Sequence, residues 1–175
     1  VKDSLHTTNL TIKAISEAAG DFEYYVFNDF SQPETKHFLE KANNEFRFKL
    51  THIEDITNNP SPNYKLVLEI AQKIALEEKC PLIIVESDVV IKQNTITELI
   101  KILTSKPKAG LIGAITVDSS GDYNFPYTFE KVKNDEIVDT SHSLSFCCTL
   151  ISLEFLQKFD FKILSQNKDW FDVYI

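Results

Sequence analysis

Two acidic residues, Glu86 and Asp88, follow directly after an apolar run and lie one residue apart. The run Leu82–Val85 contains only apolar side chains and follows Pro81, which predicts a strand buried on both faces. Side chains alternate along a strand, so both acids would lie on the same side of its carboxyl end. Ligands bind at the carboxyl ends of strands in open α/β sheets, and carboxylates suit Mg²⁺ or Mn²⁺ with a bound phosphate. A solvated acidic strand end is an equally good interpretation of this stretch alone.

Further polar residues follow a second predicted strand and lie near the end of the sequence. Asn28 and Asp29 come after the aromatic and β-branched run 22–27, and Asp169 and Asp172 lie in the last stretch. In a parallel sheet, these side chains could converge with the first two acids on one edge. A turn that caps the next helix also explains Asn28 and Asp29, and a solvated tail explains the other two.

The elements that would position these acids alternate along the chain. Apolar periodicity predicts helices over 4–19, 33–42, 62–79, 94–103 and 153–158, and strands over 22–27, 46–53, 82–85, 109–117 and 143–151. Ser31 and Glu34 form a capping-box pattern, and Ser61 is a candidate cap before Pro62. Residues 118–141 are polar and predict a loop with a short hairpin. The alternation predicts one α/β domain over residues 1–175, with a mostly parallel central sheet flanked by helices.

Composition narrows the class of protein. The formal net charge of -8 argues against a nucleic-acid partner, since such proteins usually carry a basic patch. The three cysteines have no metal-ligand spacing and predict free thiols in a reducing compartment. No apolar run approaches the ~20 residues that span a membrane. We therefore expect a cytoplasmic location and leave attachment to a membrane surface open.

Five short segments occur in an order that is typical of one enzyme family. They are the polar turn Phe27–Ser31, the Asn- and Pro-rich loop Asn58–Asn63, the Glu86–Val89 segment, the stretch from Phe146 to Asp160, and Lys168–Asp169. These segments resemble those of family 2 glycosyltransferases. The first three match the V-D-D-x-S turn, the loop before a helix and the D-x-D motif. The last two match the acceptor-side region and the acidic E-D pair. The resemblance covers most of the chain and implies the GT-A fold of these enzymes.

The resemblance also implies a role for each matching residue. Asp88 would bind the divalent cation, Mn²⁺ or Mg²⁺, and Asp169 would be the catalytic base. The nucleotide-sugar donor would be bound by Asn28, Asp29, Ser31, Asn63 and Glu86. The implied reaction is an inverting transfer to a hydroxyl of a glycan, a lipid-linked or a protein acceptor, as in polysaccharide biosynthesis.

The chain departs from the family pattern at several positions. Glu86 stands where the family carries Asp, Asn28 where it carries the first Asp of the turn, and Lys168 where it carries the Glu of the E-D pair. Val1 lies where the family's first strand finishes, and the chain has no Met, so we expect a truncated or excised segment. These departures keep open a non-catalytic GT-A-like module that binds a glycan or a partner. A nucleotidyltransferase is a weaker alternative, because no Gly-rich phosphate loop is present.

Overall fold

A computed structural model describes residues 1–129, 136–140 and 143–164. In this part of the chain, five α-helices and five short strands form a mixed α/β structure. They are α1 (Leu5–Ser16), β1 (Tyr25–Asn28), α2 (Pro33–Phe46), β2 (Lys49–His52), α3 (Tyr64–Glu78), β3 (Leu82–Val85), α4 (Thr95–Ser105), β4 (Leu111–Gly113), β5 (Cys148–Ile151) and α5 (Leu153–Lys158). The predicted alternation of helices and strands is confirmed. No helix among the described residues is long and apolar enough to cross a bilayer.

The strands of the described chain form two small sheets rather than one mostly parallel sheet. β1 and β2 pair in parallel, with Tyr25 opposite Lys49 and Asn28 opposite His52. The second sheet has the order β3-β5-β4, and β5 runs antiparallel to both of its neighbours. The expectation of a mostly parallel sheet was therefore wrong. Hydrophobic periodicity locates strands but carries no information on their direction, and the last strand runs against the others of its sheet.

Helix α1 packs across both sheets. Ile12 is 1% exposed and joins a cluster with Val26 and Leu39, which we call the first cluster. Ile15, one turn later on the same face, joins a second cluster with Leu150. Burial of each Ile side chain contributes roughly 1.5–3 kcal/mol, so α1 holds the two sheets next to each other.

Strand β3 is less enclosed than its sequence predicts. All four residues from Leu82 to Val85 are only partly buried. β3 pairs with β5 along one edge, and no strand of the described chain pairs with its other edge. The apolar run is therefore an edge strand of its sheet and is not buried on both faces.

A buried glutamine joins α3 to the segment after α5. The Gln72 side chain donates hydrogen bonds to the carbonyls of Leu156 (2.9 Å) and Phe159 (2.5 Å) and accepts one from the Phe161 amide (2.9 Å). These groups lie at the end of a short helix, where carbonyls lack helical partners. Gln72 thereby fixes the path of the chain up to the last described residues.

Candidate functional site

Glu86 and Asp88 lie in a turn that follows β3. β3 ends at Val85, and the Val89 amide donates to the Glu86 carbonyl at 3.1 Å, which closes a four-residue β-turn. Strand periodicity therefore does not extend to these two acids, because β3 ends at Val85. The Glu86 amide still continues the ladder by donating to the Cys147 carbonyl at 3.0 Å. A backbone hydrogen bond to Cys147, the residue before β5, thus fixes the first residue of the turn.

The two acids of this turn differ in environment. Glu86 is partly buried, whereas Asp88 is exposed. In the described part of the chain, the Asp88 carboxylate forms no hydrogen bond or salt bridge. Asp88 is therefore open to a ligand from solvent, and Glu86 is held by its surroundings.

A thiol that motif matching did not single out lies against Glu86. The Cys147 Sγ donates to the Glu86 Oε2 at 3.4 Å, and the Ser145 hydroxyl donates to that Sγ at 2.9 Å. Burial raises the pKa of Cys147 to about 11; the Ser145 hydrogen bond opposes this rise and the Glu86 charge adds to it. Cys147 is thus a neutral donor that helps to orient the carboxylate. The β3–β5 register creates this contact, and the sequence carried no signal of that register.

Asp29 lies just after β1 and holds the loop that precedes α3. Its carboxylate accepts three hydrogen bonds: from Ser61 Oγ at 2.6 Å, from the Asn63 amide at 2.9 Å and from Asn63 Nδ2 at 2.7 Å. Burial alone would raise the pKa of Asp29, but these hydrogen bonds outweigh it and hold the pKa below its usual value. Asp29 is therefore an ionised anchor for the loop, and α3 begins after Asn63 rather than at the predicted Ser61 cap.

Asn28 lies inside the protein. Its side chain is 0% exposed, and its Nδ2 lies 3.0 Å from His52 Nδ1 on the paired strand. Its Oδ1 has no hydrogen-bond partner within the residues that the structure describes. An unpaired buried acceptor costs about 1–3 kcal/mol, so the Asn28 side chain lowers the free energy of unfolding. Direct contact between Asn28 and a ligand would require its cover to open.

Ser31 connects the start of the chain to the turn after β1. Its hydroxyl accepts from the Asp3 amide at 3.2 Å and donates to the Val1 carbonyl at 3.4 Å. The Ser31 capping box was wrong: Gln32 is the N-cap of α2 and forms no side-chain cap. The Gln32 amide instead donates to the Asp3 carboxylate at 2.7 Å, so a distant residue replaces the local cap.

Apart from the buried Asn28, the predicted site residues of the described chain fall into two groups. The first joins Ser31, Asp29 and Asn63 through the chain start and the loop before α3, and the second joins Glu86 and Asp88 in the turn after β3. Asp29 bonds to Ser61 and Asn63, whereas Glu86 bonds to Cys147. The predicted base, Asp169, lies outside these residues.

The second group has the donor set that a hard divalent cation uses. Within the described ranges, no cluster of three or more His, Cys, Asp or Glu side chains has the arrangement of a metal site. Mg²⁺, however, commonly binds through only one or two carboxylates together with water and substrate phosphates. Glu86 and Asp88 fit this pattern, with the exposed Asp88 as the available ligand.

Comparison with known proteins gave no relative. No family model, curated protein or solved structure matches the chain.

Proposed function

We propose that this chain is a GT-A-like glycosyltransferase domain that transfers a sugar, with inversion, from a nucleotide-sugar donor to an acceptor hydroxyl. The observation that carries the proposal is the acidic turn after β3, where an exposed Asp88 follows a restrained Glu86. The turn lies at the carboxyl end of β3 and leaves Asp88 exposed to a ligand from solvent. The ordered family-like segments along the chain support the same function.

In this proposal, Asp88 is a ligand of Mn²⁺ or Mg²⁺, and Glu86 contacts the donor or the cation from its fixed position. When bound, the cation supplies positive charge that stabilises the departing nucleoside diphosphate. Cys147 keeps the Glu86 carboxylate in place, since its thiol donates to Glu86 Oε2. Pre-set orientation of charged groups is an important source of catalysis, because little rearrangement is then needed during the reaction.

Asp29 contributes by holding the loop before α3 as one wall of the donor site. Its carboxylate already accepts three hydrogen bonds from Ser61 and Asn63, so its role in the proposal is to position those residues. Loops that bind ligands work best when a rigid scaffold fixes them. Ser31 and Asn63 would then present their remaining polar groups to the donor.

Asp169 is the proposed catalytic base. The acceptor hydroxyl attacks the anomeric carbon, its proton passes to the Asp169 carboxylate, and the bond from that carbon to the phosphate oxygen breaks. The nucleoside diphosphate leaves with the bonding electrons. Because attack comes from the face opposite the phosphate, the product has the inverted configuration.

Release of nucleoside diphosphate from UDP-, GDP- and dTDP-sugars in the presence of Mn²⁺ tests this mechanism. We expect release by the wild-type chain, and none by Asp88→Ala because the cation ligand is lost. Asp169→Ala should retain donor binding, but its rate of nucleoside diphosphate release should fall at least a hundredfold. Asp21→Ala is the matched control, because Asp21 is an exposed acid that precedes β1. Equal release by Asp88→Ala and Asp21→Ala would refute the proposed cation site.

A second candidate is a non-catalytic module of the same fold that binds a glycan or a partner. The complete burial of Asn28 and the internal hydrogen bonds of Asp29 favour it, because both residues then serve the structure alone. It predicts affinity for an oligosaccharide that does not change when Mn²⁺ is removed by EDTA. Calorimetric titration with a panel of oligosaccharides, with and without EDTA, separates it from the enzyme.

A further inference from the structure

A cavity of about 290 Å³ lies where α1 and α2 end, beside the amino ends of β1 and β2. Its walls are formed by Ser16 at the end of α1, by residues 22–24 before β1, and by Phe46, Arg47 and Lys49 around the connection from α2 to β2. Asp29 lies at the other end of β1, five residues after Tyr24, which is roughly 16 Å along a strand. The cavity is therefore separate from the proposed donor site.

One side of the cavity is aromatic. It is formed by Phe22, Tyr24 and Phe46, which we call the aromatic wall, and each of these side chains is half-buried. The Tyr24 ring also packs against Phe48, with ring centroids 5.5 Å apart, which holds it in place. Burial raises the pKa of Tyr24, so its hydroxyl is a neutral group, and it forms no hydrogen bond within the described part of the chain. Aromatic side chains favour contact with another flat ring.

The charged residues of the cavity leave one positive charge unbalanced. The Lys49 Nζ donates to Glu23 Oε2 at 2.6 Å and to the Tyr25 hydroxyl at 2.9 Å, so Lys49 and Glu23 neutralise each other. The guanidinium of Arg47, in contrast, forms no hydrogen bond or salt bridge with any residue that the structure describes. The cavity therefore suits an anionic group beside Arg47.

Arg47 also has a backbone conformation that arginine rarely adopts. It is the C-cap of α2, with a φ of 55° in the left-handed region, where Gly or Asn is the usual residue. The chain contains no other arginine. A guanidinium can bind a carboxylate through two parallel hydrogen bonds, which a lysine cannot do, and strained residues often occur where ligands bind.

We propose that this cavity binds a small aromatic carboxylate, with its ring on the aromatic wall and its carboxylate on Arg47. This inference does not depend on the proposed function. Pockets for small molecules usually measure about 300–1,000 Å³, so this cavity has the size for one ring with its carboxylate. A cationic ligand would be repelled by Arg47, and an aliphatic carboxylate would leave the aromatic wall without a stacking partner.

NMR titration of the whole chain with benzoate tests the proposal, with the amide signals of residues 22–24 and 46–49 as the readout. Benzamide, which keeps the ring without the charge, and acetate, which keeps the charge without the ring, are the matched probes. The variants are Arg47→Gln and Arg47→Lys. Lys73→Gln is the control, because Lys73 is an exposed cation of α3 that pairs with Glu77, away from the cavity. Urea unfolding midpoints of all variants are measured alongside.

We expect saturable shifts with benzoate, and binding at least fivefold weaker for benzamide and for acetate. Arg47→Gln should weaken benzoate binding at least fivefold, Arg47→Lys should restore only part of it, and Lys73→Gln should leave it unchanged. Absence of saturable shifts at millimolar benzoate would overturn the proposal, as would equal binding of benzoate and benzamide. If Arg47 only offsets the dipole of α2, Arg47→Gln will lower the urea midpoint without changing benzoate binding, which also overturns it.

Discussion

Replacement of Asp29 by Ala should destabilise the protein substantially, although Asp29 lies at a proposed ligand site. The carboxylate accepts three hydrogen bonds, from Ser61 Oγ, the Asn63 amide and Asn63 Nδ2. At about 1 kcal/mol for each hydrogen bond, the expected loss is about 3 kcal/mol in the free energy of unfolding. For a chain of this length, that loss corresponds to a fall in Tm of about 6–12 °C.

Urea unfolding of single and double variants measures this loss and assigns it to the loop. Ser61→Ala should cost about 1 kcal/mol, because it removes one of the three donors. The double variant Asp29→Ala/Ser61→Ala should be less destabilised than the sum of the two single variants, by about 1 kcal/mol. Asp21→Ala, which removes an exposed acid before β1, should change stability by less than about 0.5 kcal/mol.

The effect of Asp29 should depend on pH in one direction. Its folded-state pKa is lowered, so the unfolded chain takes up the proton first as the pH falls. The stabilisation by Asp29 is then fully present above its unfolded-state pKa of about 3.9 and is lost as the pH falls through the folded-state pKa. The difference between wild type and Asp29→Ala should therefore be constant from pH 7 to pH 5 and shrink below about pH 4. A difference under 0.5 kcal/mol at pH 7, or one that grows on acidification, would refute the role of Asp29 as an ionised anchor.

Two other predictions concern the core and the thiols. Gln72→Leu should lower the free energy of unfolding, measured in urea titrations, by about 2–4 kcal/mol. The substitution leaves backbone groups in residues 156–161 without their hydrogen-bond partner. A loss under 1 kcal/mol would show that water replaces the side chain. N-ethylmaleimide should modify the exposed Cys80 before Cys147, whose thiol is partly buried with its pKa raised to about 11. Peptide mass spectrometry over a time course measures this order, and faster labelling of Cys147 would contradict the neutral thiol beside Glu86.

Local sequence signals predicted the elements of the fold well. The periodicity of apolar residues located the five helices. Ser152, directly before the predicted helix 153–158, caps α5, with its hydroxyl accepting from the Phe155 amide at 3.3 Å. These features depend on neighbours within one or two turns, so the sequence contains the information for them. The capping box at Ser31 failed because Asp3, far away in sequence, provides the partner instead.

The contacts of the site depended on pairings that are distant in sequence. Asp29 bonds to Ser61 across 32 residues, and Cys147 bonds to Glu86 across 61. The path of the loop before α3 decides the first contact and the pairing of β3 with β5 decides the second, and neither follows from periodicity in a single sequence. The sequence placed Glu86 and Asp88 after a strand. It could not show that the two residues lie in a turn, where side chains no longer alternate as they do along a strand.

The central claim is that the turn after β3 holds a divalent cation for a nucleotide-sugar donor. The most direct measurement is calorimetric titration of the chain with UDP-, GDP- and dTDP-sugars, with Mn²⁺ and with EDTA. We predict that at least one donor binds in Mn²⁺, that EDTA abolishes this binding, and that Asp88→Ala weakens it at least tenfold while Asp21→Ala leaves it unchanged. Absence of binding by all three donor classes, or binding that neither EDTA nor Asp88→Ala affects, would contradict the claim.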